Sequence, residues 1–124
     1  MSESDPLPRT WRFYIDDMLE FAQKVLDYTE GYDQAEFERS RLHYDATLRN
    51  LELIGEAAMR VPQHVRDFAV DVPWRQIIAT RNRLIHGYLG IDNDILWSII
   101  RDDIPPLLDR LRSLSNAADA GLIN

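Results

Sequence analysis

The chain has 124 residues, 45% of them hydrophobic and 28% charged, with a net charge of −7; this is one domain's worth of sequence with enough apolar content for a core. No apolar run approaches the eighteen or so residues of a membrane span, and the opening MSESDPLPRTW lacks both a basic n-region and an apolar h-region, so a cytoplasmic protein without a signal peptide is expected. The acidic balance excludes broad nonspecific nucleic-acid binding, which relies on a basic surface, and the absence of cysteine excludes disulfides and thiolate chemistry.

Apolar residues recur with helical period almost throughout. Trp11, Tyr14, Ile15, Met18, Leu19, Ala22, Val25, Leu26 and Thr29 follow the spacing of an amphipathic helix. Thr10 is placed to cap its start, and Gly31 to stop it in the left-handed conformation. A second helix opens at DQAE, where Asp33 and Glu36 have capping-box spacing. Its stripe runs through Phe37, Tyr44, Leu48, Leu51, Gly55 and Ala58, and the small residues Gly55 and Ala58 would let a neighbouring helix approach closely. Pro62 ends it, and PQHVRDF reads as a short polar turn.

Pro73 suits the first position of a third helix, running from about Trp74 to His86 with Gly87 as its C′ residue. GIDNDILW reopens a helix, capped by Asp92 or Asp94, whose stripe is Leu96, Ile100, Ile104, Leu107, Leu111 and Leu114. The pair Pro105–Pro106 must kink or restart this helix after Asp103, a candidate cap for the new start. The tail NAADAGLIN is expected to fray. Nothing reads as a strand, so the fold class is all-α: an antiparallel four- to five-helix bundle over 11–116, with an N-terminal extension at 1–10 and a frayed tail at 117–124.

The third helix carries unusual chemistry in RNRLIHGY. On a wheel of roughly 100° per residue, Trp74, Ile77, Ile78, Leu84 and Ile85 form an apolar arc with Arg81 near its middle. A guanidinium aimed at buried surface is costly unless paired or needed. One reading is a buried ion pair with Glu52 or Glu56, which could themselves be an acid/base pair or counter-charges for arginines such as Arg49. Asn82 and His86, four apart, share another face with Arg75. His43, His64 and His86 lack metal-ligand spacing, so neither a metal nor a cofactor is expected.

Arg81, Asn82, His86, Gly87 and Tyr88 reproduce the R-x4-H-x-Y pattern, with its polar residue after the arginine, and so resemble the HEPN-domain ribonuclease toxins of the HepT type. NLELIGEAA resembles the second helix of that family, VPWRQIIATRNRLIHGYLGID its motif helix, and LWSIIRDDIPPLLDRL its last helix. The likeness covers roughly Trp11 to Leu114; Pro106 departs from it. The resemblance implies a HEPN-like bundle forming a homodimer with the motif helices near a twofold axis. It also implies the toxin of a type VII toxin–antitoxin pair, a metal-independent endoribonuclease with Arg81 and His86 catalytic and Asn82 in support. Its partners would be RNA and an MntA-type minimal nucleotidyltransferase antitoxin that attaches AMP to Tyr88.

Chemistry fits those roles. Imidazole can act as the base for a 2′-hydroxyl, and a guanidinium can fork onto phosphate oxygens. One geometric difficulty stands: Arg81 and His86, five residues apart, lie roughly 140° apart around an ideal helix. The alternative reading is a catalytically inert HEPN module that serves as an AMP acceptor or protein-interaction subunit.

Overall fold

A computed structural model describes residues 10–87 and 91–124, and all regular structure among them is helical. Helices α1 (Trp11–Thr29), α2 (Gln34–Arg39), α3 (Arg41–Met59), α4 (Gln63–Phe68) and α5 (Trp74–Gly87) precede a last arm. That arm comprises α6 (Asn93–Ser98), a π turn (Ile99–Asp103) and α7 (Ile104–Asp119). The all-α bundle expected from periodicity is what the chain forms. Helix α3 is its spine, packing on α1 along one side and on α5 along another, while α7 closes against α1. Ile15, Met18, Ala22 and Val25 of α1 meet Leu51, Ile54 and Ala58 of α3 and Leu107, Leu111 and Leu114 of α7 in one buried cluster. None of the described helices is long and apolar enough to cross a membrane.

Helix boundaries follow local chemistry, with five departures from expectation. Gly31 does take the left-handed conformation, at φ +78°, and the Asp33–Glu36 capping box forms in both directions, at 2.8 and 3.0 Å. Thr10 occupies the N-cap of α1 but its side chain makes no capping bond. The second predicted helix is two helices, because Ser40 leaves helical geometry at φ −90°, ψ 90°. Its Oγ lies 2.6 Å from His43 Nδ1, a local side-chain bond of the kind that competes with helix continuation. The break lets Phe37 turn inward, its ring 5.3 Å from Tyr44 and 5.4 Å from Trp97. The polar turn after Pro62 is a short helix, α4, anchored by buried Val65.

The α-helix restarts just after Asp103, as expected, with Asp103 at the N-cap position of α7 and the proline pair in its first turn. Asp103 is itself helical, however, and makes no capping bond. Pro105 and Pro106 bring no amide hydrogens, and the preceding turn widens so that Ile104 N–H reaches back to Ile99 O. Asp92 caps the arm, its Oδ1 accepting from Asp94 N at 2.7 Å. The whole predicted stripe from Leu96 to Leu114 is at most 3% exposed. The tail from 117 differs from the frayed end expected of it: Leu122 N–H closes onto Ala117 O at 2.9 Å around Gly121, and Asp119 pairs with Arg12 at 2.8 Å.

Arg101, in the π turn, ties this arm to the end of α1. Its guanidinium donates to the carbonyls of Thr29, at 3.0 Å, and of Tyr32, and lies 4.3 Å from the Trp97 ring centroid. Arg101→Ala strips both carbonyls of a charged donor and is expected to cost about 1–3 kcal/mol of stability, read as a lower urea midpoint with an unchanged slope.

Candidate active site

The motif helix α5 is held at both ends of its contact with α3. At its start, buried Trp74 donates Nε1–H to Ala69 O at 3.0 Å. Arg66 lies with its guanidinium carbon 6.0 Å from the Trp74 ring centroid, and donates to Val61 O, Ala58 O and Met59 O at 3.0, 3.0 and 3.2 Å. The guanidinium thereby adds donors to carbonyls at and just beyond the C-terminus of α3, where the helical ladder runs out. Toward its other end, Leu84 is 2% exposed. The apolar arc is narrower than the wheel suggests: Ile77 and Ile78 are half-buried, and Ile85 faces outward.

Between the two anchors the helices almost touch. A Cβ built on Gly55 would lie 2.2 Å from Arg81 Cβ, 2.8 Å from its Cγ and 3.2 Å from Ile77 O. The close approach expected at Gly55 therefore exists, and its partner is Arg81. The arginine stem lies across the glycine and its head emerges, as long cationic side chains do over apolar surface. Arg81 Nη1 donates to Asn82 Oδ1 at 2.9 Å, while Nε is buried with no hydrogen-bond partner. Arginine has only donors, so Asn82 must present its oxygen and keeps its amide hydrogens for another acceptor.

This bond meets the 140° difficulty. Asn82 and His86 stand four residues apart on one exposed face of α5. By reaching sideways to Asn82, the Arg81 head leaves the buried stripe for the face that bears His86. Of the two counter-charge readings, pairing of Glu52 or Glu56 with Arg81 does not occur, whereas pairing with Arg49 does for Glu52, at 2.9 Å. Glu56 lines a cleft with Tyr14, Phe21 and Arg60, and no carboxylate among the described residues pairs with Arg81. The result is a guanidinium with unspent donors, bonded to a residue on the helix face that also carries an exposed imidazole, an arrangement that can receive an anion.

The other chemical groups lie elsewhere. His43 is engaged by Ser40, and His64 Nε2 lies 2.8 Å from Asn124 O. No cluster of three potential metal ligands occurs among the described residues. A slot of about 50 Å³ between α3, α5 and the π turn is lined by Leu51, Ile77 and Asp103; burial, then neighbouring Asp102, pushes the Asp103 carboxyl up. Tyr88 lies outside the described residues. The wheel missed the seat of Arg81: nothing in a single sequence says which helix face Gly55 will meet.

Seating Arg81 on Gly55 yields a stability test. Gly55→Ala forces α3 and α5 apart against a backbone-fixed Cβ, so a loss of about 1–3 kcal/mol is expected. Thermal melts of this variant beside Ala46→Gly, elsewhere on α3, would check it; equal melting of Gly55→Ala and wild type would contradict the contact.

A family model described as "Ribonuclease HepT-like" matches residues 18–114. "Putative RNase MJ1380" of Methanocaldococcus jannaschii is 36% identical over 99 residues, covering 80% of this chain and 91% of that protein. "Probable ribonuclease HepT" of Thermococcus cleftensis is 30% identical over 108 residues, covering 87% of this chain and 98% of its own length. "Putative RNase TTE0752" of Caldanaerobacter subterraneus is 30% identical over 106 residues, covering 86% and 95%. No solved structure matches the chain significantly.

Proposed function

Given that the chain belongs to the HepT-like ribonuclease family, we propose that it is a metal-independent endoribonuclease, the toxin of a type VII toxin–antitoxin pair, with Arg81 and His86 as its catalytic residues. The observation that carries this reading is the Arg81 guanidinium, unpaired by any described carboxylate and hydrogen-bonded to Asn82 on the face that bears His86. A structural arginine in a bundle core would have an acidic partner or carbonyls to cap, as Arg66 and Arg101 do.

The chemistry follows from those groups. His86 takes the proton of a ribose 2′-hydroxyl, and the freed oxygen attacks the adjacent phosphorus. The bond to the 5′-oxygen breaks, and that oxygen leaves with a proton drawn from water or from the imidazolium. Arg81 donates to the non-bridging oxygens as charge gathers there, and the Asn82 amide is placed to donate alongside it. The products are a 2′,3′-cyclic phosphate and a 5′-hydroxyl. A second copy of the chain, packed through the motif helices, would bring a second set of these groups to the same cleft. Tyr88, two residues after His86, would be the site where a minimal nucleotidyltransferase antitoxin attaches AMP. Each unit adds a phosphodiester anion that competes for the same guanidinium.

A cleavage assay on a labelled oligoribonucleotide tests the assignment. His86→Ala and Arg81→Ala should each slow cutting by at least about 10²-fold with helix content preserved, and an all-deoxy strand, lacking the nucleophile, should survive. Wild-type rates in His86→Ala, or equal cutting of the deoxy strand, would refute it. Tyr88→Phe should still cut RNA yet gain no AMP mass when co-expressed with the antitoxin; loss of cutting in a folded Tyr88→Phe protein would contradict a purely regulatory role.

A further inference from the structure

Helix α5 is the one helix among the described residues that carries no carboxylate, and it bears Arg75, Arg81 and Arg83 within a chain of net charge −7. Arg75 and Arg83 are both exposed. Arg75 has no ion pair or hydrogen bond among the described residues and caps no helix, unlike Arg66 and Arg101. It stands seven residues before Asn82, two helical turns, on the face shared by Asn82 and His86. An open groove joins the two positions: Arg75, Gln76, Ile78, Ala79 and Asn82 line one wall, and the segment around Val70 and Asp71 lines the other.

We propose that this groove carries the RNA strand flanking the cut, and that Arg75 holds a backbone phosphate outside the scissile one. The inference rests on the ribonuclease reading and adds a substrate contact to it. Two turns of helix separate Arg75 from Asn82 by about 10.5 Å. A stacked strand advances roughly 3.4 Å per nucleotide, so with Asn82 at the scissile phosphate, Arg75 meets the phosphate two or three nucleotides away. An acidic protein would repel an RNA chain almost everywhere else. The α5 wall of the groove, which unlike the wall bearing Asp71 holds no carboxylate, is the side on which that repulsion is locally reversed, and a guanidinium without a protein partner is free to fork onto phosphate oxygens. The small side chain of Ala79 leaves the floor between the two contacts open. Arg75 is thus a substrate-binding residue that sets the length of RNA recognised, and takes no part in the bond-breaking step.

The test compares a dinucleotide, which contains only the scissile phosphate, with a decaribonucleotide extended on both sides. Arg75→Ala should raise KM for the decamer at least five-fold more than KM for the dinucleotide. It should also flatten the dependence of log KM on log salt for the decamer by about 0.7, the slope of one lost single-strand phosphate contact. Arg110→Ala, which removes an exposed arginine from α7, should produce neither change. Equal KM effects of Arg75→Ala on both substrates, or an equal effect from Arg110→Ala, would overturn the proposal while leaving the ribonuclease assignment intact. If the wild-type protein cut neither substrate, the assignment itself would fail. Binding of a 2′-O-methyl decamer would then decide the groove: affinity undiminished by Arg75→Ala would sink it.

Discussion

The site depends on one close approach, that of α3 and α5 at Gly55. A glycine in the middle of a helix is a stability cost of its own, and here it removes the only atom that would stand between the two backbones at Arg81. The consequences follow from that absence. The arginine stem is pinned at Cβ and Cγ, its Nε is shut away from solvent and partners, and only the tip of the guanidinium is free to choose a neighbour. Asn82 supplies it. A helix pair held a few ångströms further apart would leave Arg81 a loose surface cation, sharing no face with His86.

The arginines of this chain divide by what their donors meet. Arg66 and Arg101 spend theirs on main-chain carbonyls around the ends of α3 and α1, where positive charge also suits the helix dipole. Arg12 pairs with Asp119, and Arg49 with Glu52. Arg81 has neither a main-chain carbonyl nor a carboxylate among the described residues. In a protein of net charge −7, with carboxylates on every other described helix, the stretch from Trp74 to Gly87 holds none, and under the proposed function this local exclusion makes α5 the ridge at which a polyanion is least repelled.

Much of the architecture was legible in the sequence, because its causes are short-ranged. The stripe Leu96, Ile100, Ile104, Leu107, Leu111 and Leu114 is buried as predicted, and it crosses the π turn intact because two successive four-residue steps carry it over the wider turn. The capping box at Asp33 and the left-handed Gly31 likewise need only their neighbours. The failures have equally local names. Ser40 interrupts a stripe whose period looks continuous, since hydrophobic spacing does not register a serine that prefers to bond His43. The proline pair does mark the expected restart, at Ile104, but Asp103 does not cap it: missing amides near a helix start cost little when the turn before them widens.

The arginine–histidine pair was legible as residues and as a pattern, and the wheel correctly aimed Arg81 inward. It could not supply the partner. Glu52 and Glu56 sit on the right helix, yet the atoms opposite Arg81 belong to Gly55 and Ile77, and that depends on how α3 is rotated and raised against α5. Sequence alone therefore determined where helices run, which stripe of each is apolar, and that one motif concentrates polar chemistry at a helix end, because these are properties of residues a few positions apart. Only the tertiary structure decided that the guanidinium is unpaired, that it bends to the His86 face, and that a groove leads from there to Arg75. Those facts depend on the rotation and separation of two packed helices, which the whole core sets together.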